Sequence, residues 1–381
     1  MKKLIWLTAC LLDASGCHGT ALKSAPRDGA TTSGSDAVPS NADAMADAHA
    51  VIFASQQQIP WALAVDNANV YWFNLGTALG TGKDFGGYVG GQVVRCAKNG
   101  CEGGPALLAS DRRSGLVAAP LAFAIDDANV YWSDAGTTTL SDASSASGGV
   151  LKCSVDGCGN DPQTLSTIGG WSMAVAGGNV YWADLDGMYA CPTSGCVSAP
   201  ARAFWSAGGG AQAIAADLGG VYWSSGEIMA CGPGGCNGAS PVQLTSAGIP
   251  AVTQIALDAA NVYFVDSNPI GLGQVLACAK SGCGSHPQPL ATGLNSPTAI
   301  ASDGVNVYWT EMSNPDANVA LVAPNGAGVV RKCLVSGCNN APTTIASGLS
   351  SPVAIALDDR HVYWAEGGTG SGDGRIWQAP K

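Results

Sequence analysis

The chain has 381 residues, of which 12% are charged and 46% hydrophobic, with 52 glycines and a formal net charge of -11. With 17 basic residues against 28 acidic ones there is no basis for a phosphate-neutralising surface, so nucleic acid is not an expected partner. Low charge with abundant Gly fits an all-β protein with many buried strands and tight turns, and the length suits one large repeat domain.

At the N-terminus, Lys2 and Lys3 precede an apolar stretch from Leu4 to Leu12. These are the charged and hydrophobic parts of a secretory signal, and the stretch is too short to span a bilayer. Ala14-Ser15-Gly16-Cys17 follows and resembles the lipobox of bacterial lipoproteins, which implies a lipid on Cys17. Leu7-Thr8-Ala9-Cys10 is a second phrase of this kind, but it leaves only Leu4 to Ala9 as an apolar core. The expected organisation is a signal peptide over 1–16, a linker over 17–49 and one domain over 50–381. The linker is small, polar and aperiodic, and buries too little apolar surface to offset ordering entropy. An exported outer-membrane lipoprotein is expected, periplasmic or on the cell surface, touching the membrane only through its lipid.

From residue 50 onward one phrase recurs seven times: Asn69-Val70-Tyr71-Trp72, Asn129-Val130-Tyr131-Trp132, Asn179-Val180-Tyr181-Trp182, Gly220-Val221-Tyr222-Trp223, Asn261-Val262-Tyr263-Phe264, Asn306-Val307-Tyr308-Trp309 and His361-Val362-Tyr363-Trp364. The tyrosines lie 60, 50, 41, 41, 45 and 55 residues apart. Such periods mark propeller blades or helical arrays, and no segment keeps a 3.6-residue period. Each unit parses into four short strands. An Ala-rich strand comes first, then the Val-Tyr-Trp strand, then a strand ending at Cys, then a short strand often following Pro. Val and Trp point to one side of the second strand and Tyr to the other, so stacking of blades buries both sets.

The reading is a seven-bladed β-propeller closed by an N-terminal strand that completes the last blade. The seventh unit stops after its third strand, Gly374 to Gln378. Ahead of the first unit, Ala50-Val51-Ile52-Phe53-Ala54-Ser55 matches the fourth-strand phrase Thr344-Ile345-Ala346-Ser347 of unit six. Pairing chain start with chain end removes the open sheet edges.

Twelve cysteines form six pairs of one spacing: Cys96 with Cys101, Cys153 with Cys158, Cys191 with Cys196, Cys231 with Cys236, Cys278 with Cys283 and Cys333 with Cys338. Gly precedes the second Cys each time. In an exported chain, paired Cys at one turn read as local disulfides. The alternative is metal, but a zinc site needs four ligands around one ion, and one pair per blade spreads the thiols around a ring.

The phrases Trp132-Ser133-Asp134, Trp182-Ala183-Asp184, Trp309-Thr310-Glu311 and Trp364-Ala365-Glu366 resemble the YWTD propellers of the LDL-receptor family. The resemblance implies extracytoplasmic ligand binding by the propeller top without chemistry. The chain departs from that family in having seven units rather than six, and in its Cys pairs.

Asp66, Asp126, Asp217, Asp258, Asp303 and Asp358 end first strands, where a carboxylate accepts from turn N–H groups. The residues after the Trp positions (Asn74, Asp134, Asp184, Asp266, Glu311, Glu366) are also repeated and read as structural, with room for a ligand or Ca²⁺ role. His286 and His361 belong to the rim opposite the long loops and do not suit a general base there. Seven-bladed lyases of the streptogramin type match poorly, because their His-containing top-face site has no counterpart. No cofactor or resident metal is expected.

What remains is asymmetry. Connections between second and third strands are long in blade one (75–90), blade two (135–148), blade six (312–326) and blade seven (367–373), and short in blades three and four. Because blade seven neighbours blade one, the long loops form one sector, and loops on a rigid scaffold are where recognition sits. Candidate ligand contacts are Phe85, Tyr88, Arg112, Arg113, Asp134, Trp171, Trp205, Glu311 and Glu366, with Trp171 and Trp205 alternatively plugging the central channel. The expected function is a monomeric binding or scaffold module for a protein or glycan. The alternative is a hydrolase or lyase acting on carbohydrate or glycopeptide through Asp134, Glu311 and Glu366.

Overall fold

Each Val-Tyr-Trp phrase forms the second strand of a four-stranded antiparallel sheet, and seven such sheets make a seven-bladed β-propeller. The computed structural model describes residues 49–78, 88–110, 122–134, 149–184, 187–196, 202–205, 211–236, 238–249, 251–267, 273–312, 328–368 and 372–381. Residues 1–48, with Cys17, lie outside the described residues.

The first strands line the axis in the order of the blades, and the first strand of blade 1 (Pro60–Val65) touches that of blade 7 (Pro352–Leu357), so the ring is closed. Ala at these positions keeps neighbouring strands close where the blades converge. Short polar links add to this contact: Ser172 Oγ accepts from the Ile214 N–H at 2.8 Å, and Gln254 Oε1 from the Ile300 N–H at 2.6 Å.

The alternation in the second strand decides how blades stack. Tyr71 of blade 1 packs with Val130 and Trp132 of blade 2. Tyr131 packs with Val180 and Trp182, Tyr181 with Val221 and Trp223, and Tyr222 with Val262 and Phe264. Tyr263 packs with Val307 and Trp309, Tyr308 with Val362 and Trp364, and Tyr363 with Val70 and Trp72. Seven interfaces thus use one rule, in which the Tyr of each blade meets the Val and aromatic residue of the next. Aromatic rings of this kind bury roughly 150–250 Å² each, so these seams are the core.

Blade 7 is completed as the repeat implied. Its fourth strand is Val51–Gln57, antiparallel to Gly374–Pro380, with Val51 opposite Gln378, Ile52 opposite Trp377, Ala54 opposite Ile376 and Gln57 opposite Gly374. The register shifts along this pairing resemble those between third and fourth strands in other blades, as in Gly328–Leu334 against Thr343–Leu349. Each third strand in blades 5, 6 and 7 begins at a Gly lying against the Pro that opens the next first strand. A Cβ on Gly374 would stand 2.5 Å from Pro60 Cδ, so only Gly lets the two chain ends meet there.

Candidate functional site

Antiparallel order sends the turns between strands one and two, and between three and four, to one rim. The connections between strands two and three, and from each fourth strand to the next blade, lie on the other. The first is a disulfide rim and the second a loop rim.

On the disulfide rim all six Cys pairs are bridged: Cys96 with Cys101, Cys153 with Cys158, Cys191 with Cys196, Cys231 with Cys236, Cys278 with Cys283 and Cys333 with Cys338. Their Cα separations run from 4.9 to 5.8 Å, within bridging range. The Gly before each second Cys has a positive φ (Gly100, Gly157, Gly195, Gly235, Gly282, Gly337), and its N–H closes a turn onto the carbonyl three residues earlier. A side chain is disfavoured in that conformation, which explains the repeated Gly.

The bridges also lie against the neighbouring blade. Cys153 and Cys158 sulfurs contact the Leu108 carbonyl, Cys191 and Cys196 that of Leu165, and Cys333 and Cys338 that of Leu290. Cys278 sulfur contacts the Leu244 carbonyl, which also accepts the Cys283 N–H at 2.9 Å. Cys231 and Cys236 are buried in the seam between blades 3 and 4, and Cys101 packs beside Cys96 in the seam between blades 7 and 1. Among the described residues, no group of three or more His, Cys, Asp or Glu side chains converges as a metal site. Six disulfides fit a protein that matures outside the reducing cytosol.

The first-strand aspartates act as turn caps and do more. Asp66 Oδ1 accepts from the N–H groups of Ala68 and Asn69, while Oδ2 takes the Tyr71 hydroxyl at 2.7 Å. The same Asp–Tyr bond joins Asp126 to Tyr131, Asp258 to Tyr263, Asp303 to Tyr308 and Asp358 to Tyr363. Burial opposes the charge on Asp66, but the Tyr71 hydroxyl and the two N–H groups overcome it and hold the carboxyl below its usual range. Burial and the adjacent carboxylate push Tyr71 up to about 12. Lysines from the following blade reach three of the first-strand aspartates. Lys98 reaches Asp358 at 3.0 Å, Lys381 reaches Asp303 at 3.1 Å, and Lys280 pairs with Asp217. A cavity is lined by Ala174, Ala216, Asp217, Ala256 and Asp258, and both its carboxylates cap the turns between first and second strands. His361 lies 3.6 Å from Asp358, and His286 Nδ1 meets Ser285 Oγ at 3.0 Å.

On the loop rim, the side chains that end the second strands brace the loop bases. Glu311 is buried, with Oε1 accepting the Trp309 indole N–H at 2.9 Å and Oε2 the Asn295 N–H at 3.1 Å; Arg331 stands 3.5 Å away. Glu366 accepts the Ser350 N–H and the Trp377 indole N–H, with Arg375 3.9 Å away. Each Glu therefore clamps the connection entering its own blade. Blade 1 has Asn74 at this position, and Gln57 supplies the acceptor: its Oε1 takes the Trp72 indole N–H at 2.9 Å and the Asn74 amide at 3.0 Å. Asp266 accepts from Gln274 at 3.0 Å, and Asp184 from the Gly187 N–H at 3.0 Å.

Other predicted contacts are placed as follows. Tyr88 is 5% exposed and packs with Ile59, Phe73, Leu75 and Val93 in the seam between blades 1 and 2, where burial pushes its hydroxyl up to about 12. It anchors the base of the blade 1 loop, paired across a short ladder with Ala78. Trp171 is half-buried, and its indole N–H is bound to the Ala211 carbonyl of the next blade at 2.7 Å. Phe85, Arg112 and Arg113, and the side chains of Asp134 and Trp205, lie outside the described residues. Gln57 and the arginines beside Glu311 and Glu366 were not singled out from sequence. The signal for Gln57 was its replacement of Leu349 in the aligned fourth-strand phrases.

The strand bounds refine the loop asymmetry. Long connections run from Asn74 to Gln92, Asp134 to Gly149 and Glu311 to Gly328, against Ser224 to Ile228 in blade 4. The blade 7 connection (367–373) is only one residue longer than that of blade 5 (267–272), so blade 7 adds little loop length to the sector.

Seven four-stranded sheets closed into a ring define the class as a seven-bladed β-propeller. Comparison with known proteins supports the fold. No family model matches the chain, and no curated protein matches it in sequence. Among solved structures, the WD40 β-propeller domain of Doa1 is similar with a TM-score of 0.52 and 10% identity, over 87% of this chain and 97% of that one. The extracellular domain of the putative hybrid two component system BT4673 from B. thetaiotaomicron is similar with a TM-score of 0.54 and 10% identity, over 87% of this chain and 39% of that one. A chain of the nidogen/laminin complex aligns with a TM-score of 0.45 and 16% identity, over 70% of this chain and 94% of that one, which is too distant to carry an argument.

Proposed function

We propose that this chain is an exported, lipid-anchored binding or scaffold module, of the YWTD-like kind, that captures a protein or glycan through the long loops of blades 6, 7, 1 and 2. The observation that carries this reading is the clustering of those loops on one side of one rim. Their bases are rigid, because Glu311, Glu366, Asn74 with Gln57, and Tyr88 hold them with buried bonds and contacts. Rigid bases under variable loops lower the ordering cost of binding. Phe85, Arg112, Arg113, Asp134, Trp171 and Trp205 are the side chains proposed to meet the partner, while Tyr88, Glu311 and Glu366 position the loops.

Hydrolysis of carbohydrate or glycopeptide would require free carboxylates at the loop rim. Glu311 and Glu366 are already taken up by indole, backbone and arginine partners, so no observation favours that reading.

The test is a loop exchange that spares the core. Residues 79–87 are replaced by Asn-Gly, joining Ala78 to Tyr88 as a hairpin and leaving Leu75 and Tyr88 in place. Capture from an envelope extract and binding on a glycan array should both be lost with the thermal midpoint unchanged. Full capture by the exchanged protein would sink the proposal.

A further inference from the structure

The strand that closes blade 7 carries backbone strain that its counterparts avoid. Gln57 stands opposite Gly374, where Leu294 stands opposite Gly273 in blade 5 and Leu349 opposite Gly328 in blade 6. In that alignment Gln56 matches Gly293 and Gly348, and Ile59 matches Ser296 and Ser351. All six have positive φ: 58° at Gln56 and 54° at Ile59, against 74° and 73° at the glycines and 42° and 60° at the serines. Glycine takes this conformation freely, whereas other L-residues pay a cost that is greatest for a β-branched one. Packing with Phe73, Leu75 and Tyr88 holds Ile59 in place, but Gln56 is exposed. Strain of this kind persists only where the surroundings over-determine it.

No disulfide braces this joint among the described residues. In blades 1 to 6 the fourth strand follows the third through a turn clipped by a Cys pair. In blade 7 the two strands are opposite ends of the chain, and Ala379 faces Val362 where Cys278 faces Val262 and Cys333 faces Val307. Pairing with Gly374–Pro380, the ring contact of Phe53 with Tyr363 and the burial of Ala54 hold Val51–Gln57 against the blade.

The same strand holds the loop rim in turn. Its last residue and the two that follow lie between the loop bases of blades 1 and 7. The Asn74 amide donates to Gln57 Oε1 at 3.0 Å, the Leu75 N–H to the Ile59 carbonyl at 3.0 Å and the Gly76 N–H to the Gln58 carbonyl at 3.1 Å. On the other side, a Cβ on Gly372 would stand 2.9 Å from Gln58 Nε2. Release of the strand therefore draws three acceptors away from the base of the blade 1 loop and uncovers that of blade 7.

We infer that Val51–Gln57 is a clasp poised to open, and that its docking and the order of the blade 1 and blade 7 loop bases form one two-state switch. Coupling through a shared element is reciprocal, so whatever fixes those loops tightens the clasp, and an open clasp slackens the loops. This deepens the proposed function as regulation of its loop sector, and rests on that reading only for what the loops hold.

Hydrogen exchange of the full-length protein, with no partner added, tests the switch. Amides of 51–57 are expected to exchange faster than those of the outer strands Gln288–Leu294 and Thr343–Leu349, and those of Leu75 and Gly76 to exchange in step with 51–57. Gln56→Gly removes the strain at an exposed position and should slow both groups by roughly five-fold, while Gln56→Val should quicken both. Leu75 and Gly76 stand in blade 1, so a merely local effect at Gln56 would leave them unmoved. Protection of 51–57 equal to that of the other outer strands overturns the clasp. Opening of 51–57 that Leu75 and Gly76 do not follow overturns the coupling, and equal rates in the two Gln56 variants overturn the role of strain. Because no partner is needed, any of these failures leaves the proposed function standing. Failure of the loop exchange would likewise leave the clasp standing.

Discussion

Gln57 and Trp72 are joined by a buried hydrogen bond of 2.9 Å from the indole N–H to the amide oxygen. Gln57 ends the N-terminal strand that completes blade 7, and Trp72 lies in the second strand of blade 1, so this bond ties the ring closure to the first blade. Gln57→Ala leaves the Trp72 N–H and the Asn74 amide buried without this acceptor, a loss of about 1–3 kcal/mol. A lower urea midpoint with unchanged secondary structure is expected. An unchanged midpoint would show that the amide contributes nothing to closure.

Removing residues 50–56 strips the outer strand from blade 7 and exposes the edge at Gly374–Pro380. The truncated domain is expected to melt earlier and less cooperatively by calorimetry, because the seam between blades 7 and 1 loses Ala54 and Phe53. A transition superimposable on that of the intact domain would contradict closure by this strand.

Each disulfide closes a very small loop, worth about 2 kcal/mol on the chain-entropy account. The bridge between Cys191 and Cys196 also packs against Leu165 in blade 2. Replacing both cysteines by Ser is therefore expected to cost at least the loop term and to raise hydrogen exchange at the Leu165 strand. Ellman titration of the unfolded, unreduced native protein should find essentially no thiols among the twelve propeller cysteines. Twelve would mean that they stay reduced.

The Asp–Tyr units predict stability limits at both ends of the pH scale. Burial opposes charge on Asp66, Asp258, Asp303 and Asp358, but hydrogen bonds and, for Asp303 and Asp358, a neighbouring lysine leave each below its ordinary value. The unfolded chain thus takes up these protons first as pH falls. Their stabilisation is complete above about pH 4 and is lost as pH drops through the folded values. The partner tyrosines are raised, first by burial and then by the carboxylates, so the unfolded chain ionises first and stability declines above about pH 10. Midpoints measured across pH should show Asp358→Asn with a shallower acid limb and Tyr363→Phe with a shallower alkaline limb. Limbs parallel to the native protein would rule out this linkage.

Much of the architecture was legible in the sequence because the repeat reports it directly. The alternation of Val, Tyr and Trp on a strand, repeated seven times, requires both faces to be covered by neighbours of the same kind. The fourth-strand phrase before unit one and the missing fourth strand after unit seven leave one economical closure. The Cys pairs were legible because their spacing with Gly is repeated and local. Tertiary structure alone decided where long-range polar groups meet. Gln57 became the acceptor for Trp72, Lys98 reached the Asp358 of the preceding blade, and Tyr88 turned inward although its loop context pointed outward. These partners are far apart in the chain and vary from blade to blade, so no period announces them. The loop rim was similarly half legible, since loop lengths show which sector is built up. Only the packed blades show that Glu311 and Glu366 are clamps beneath the loops, because burial and hydrogen-bond partners are set by neighbouring strands rather than by the repeat in which the residue stands.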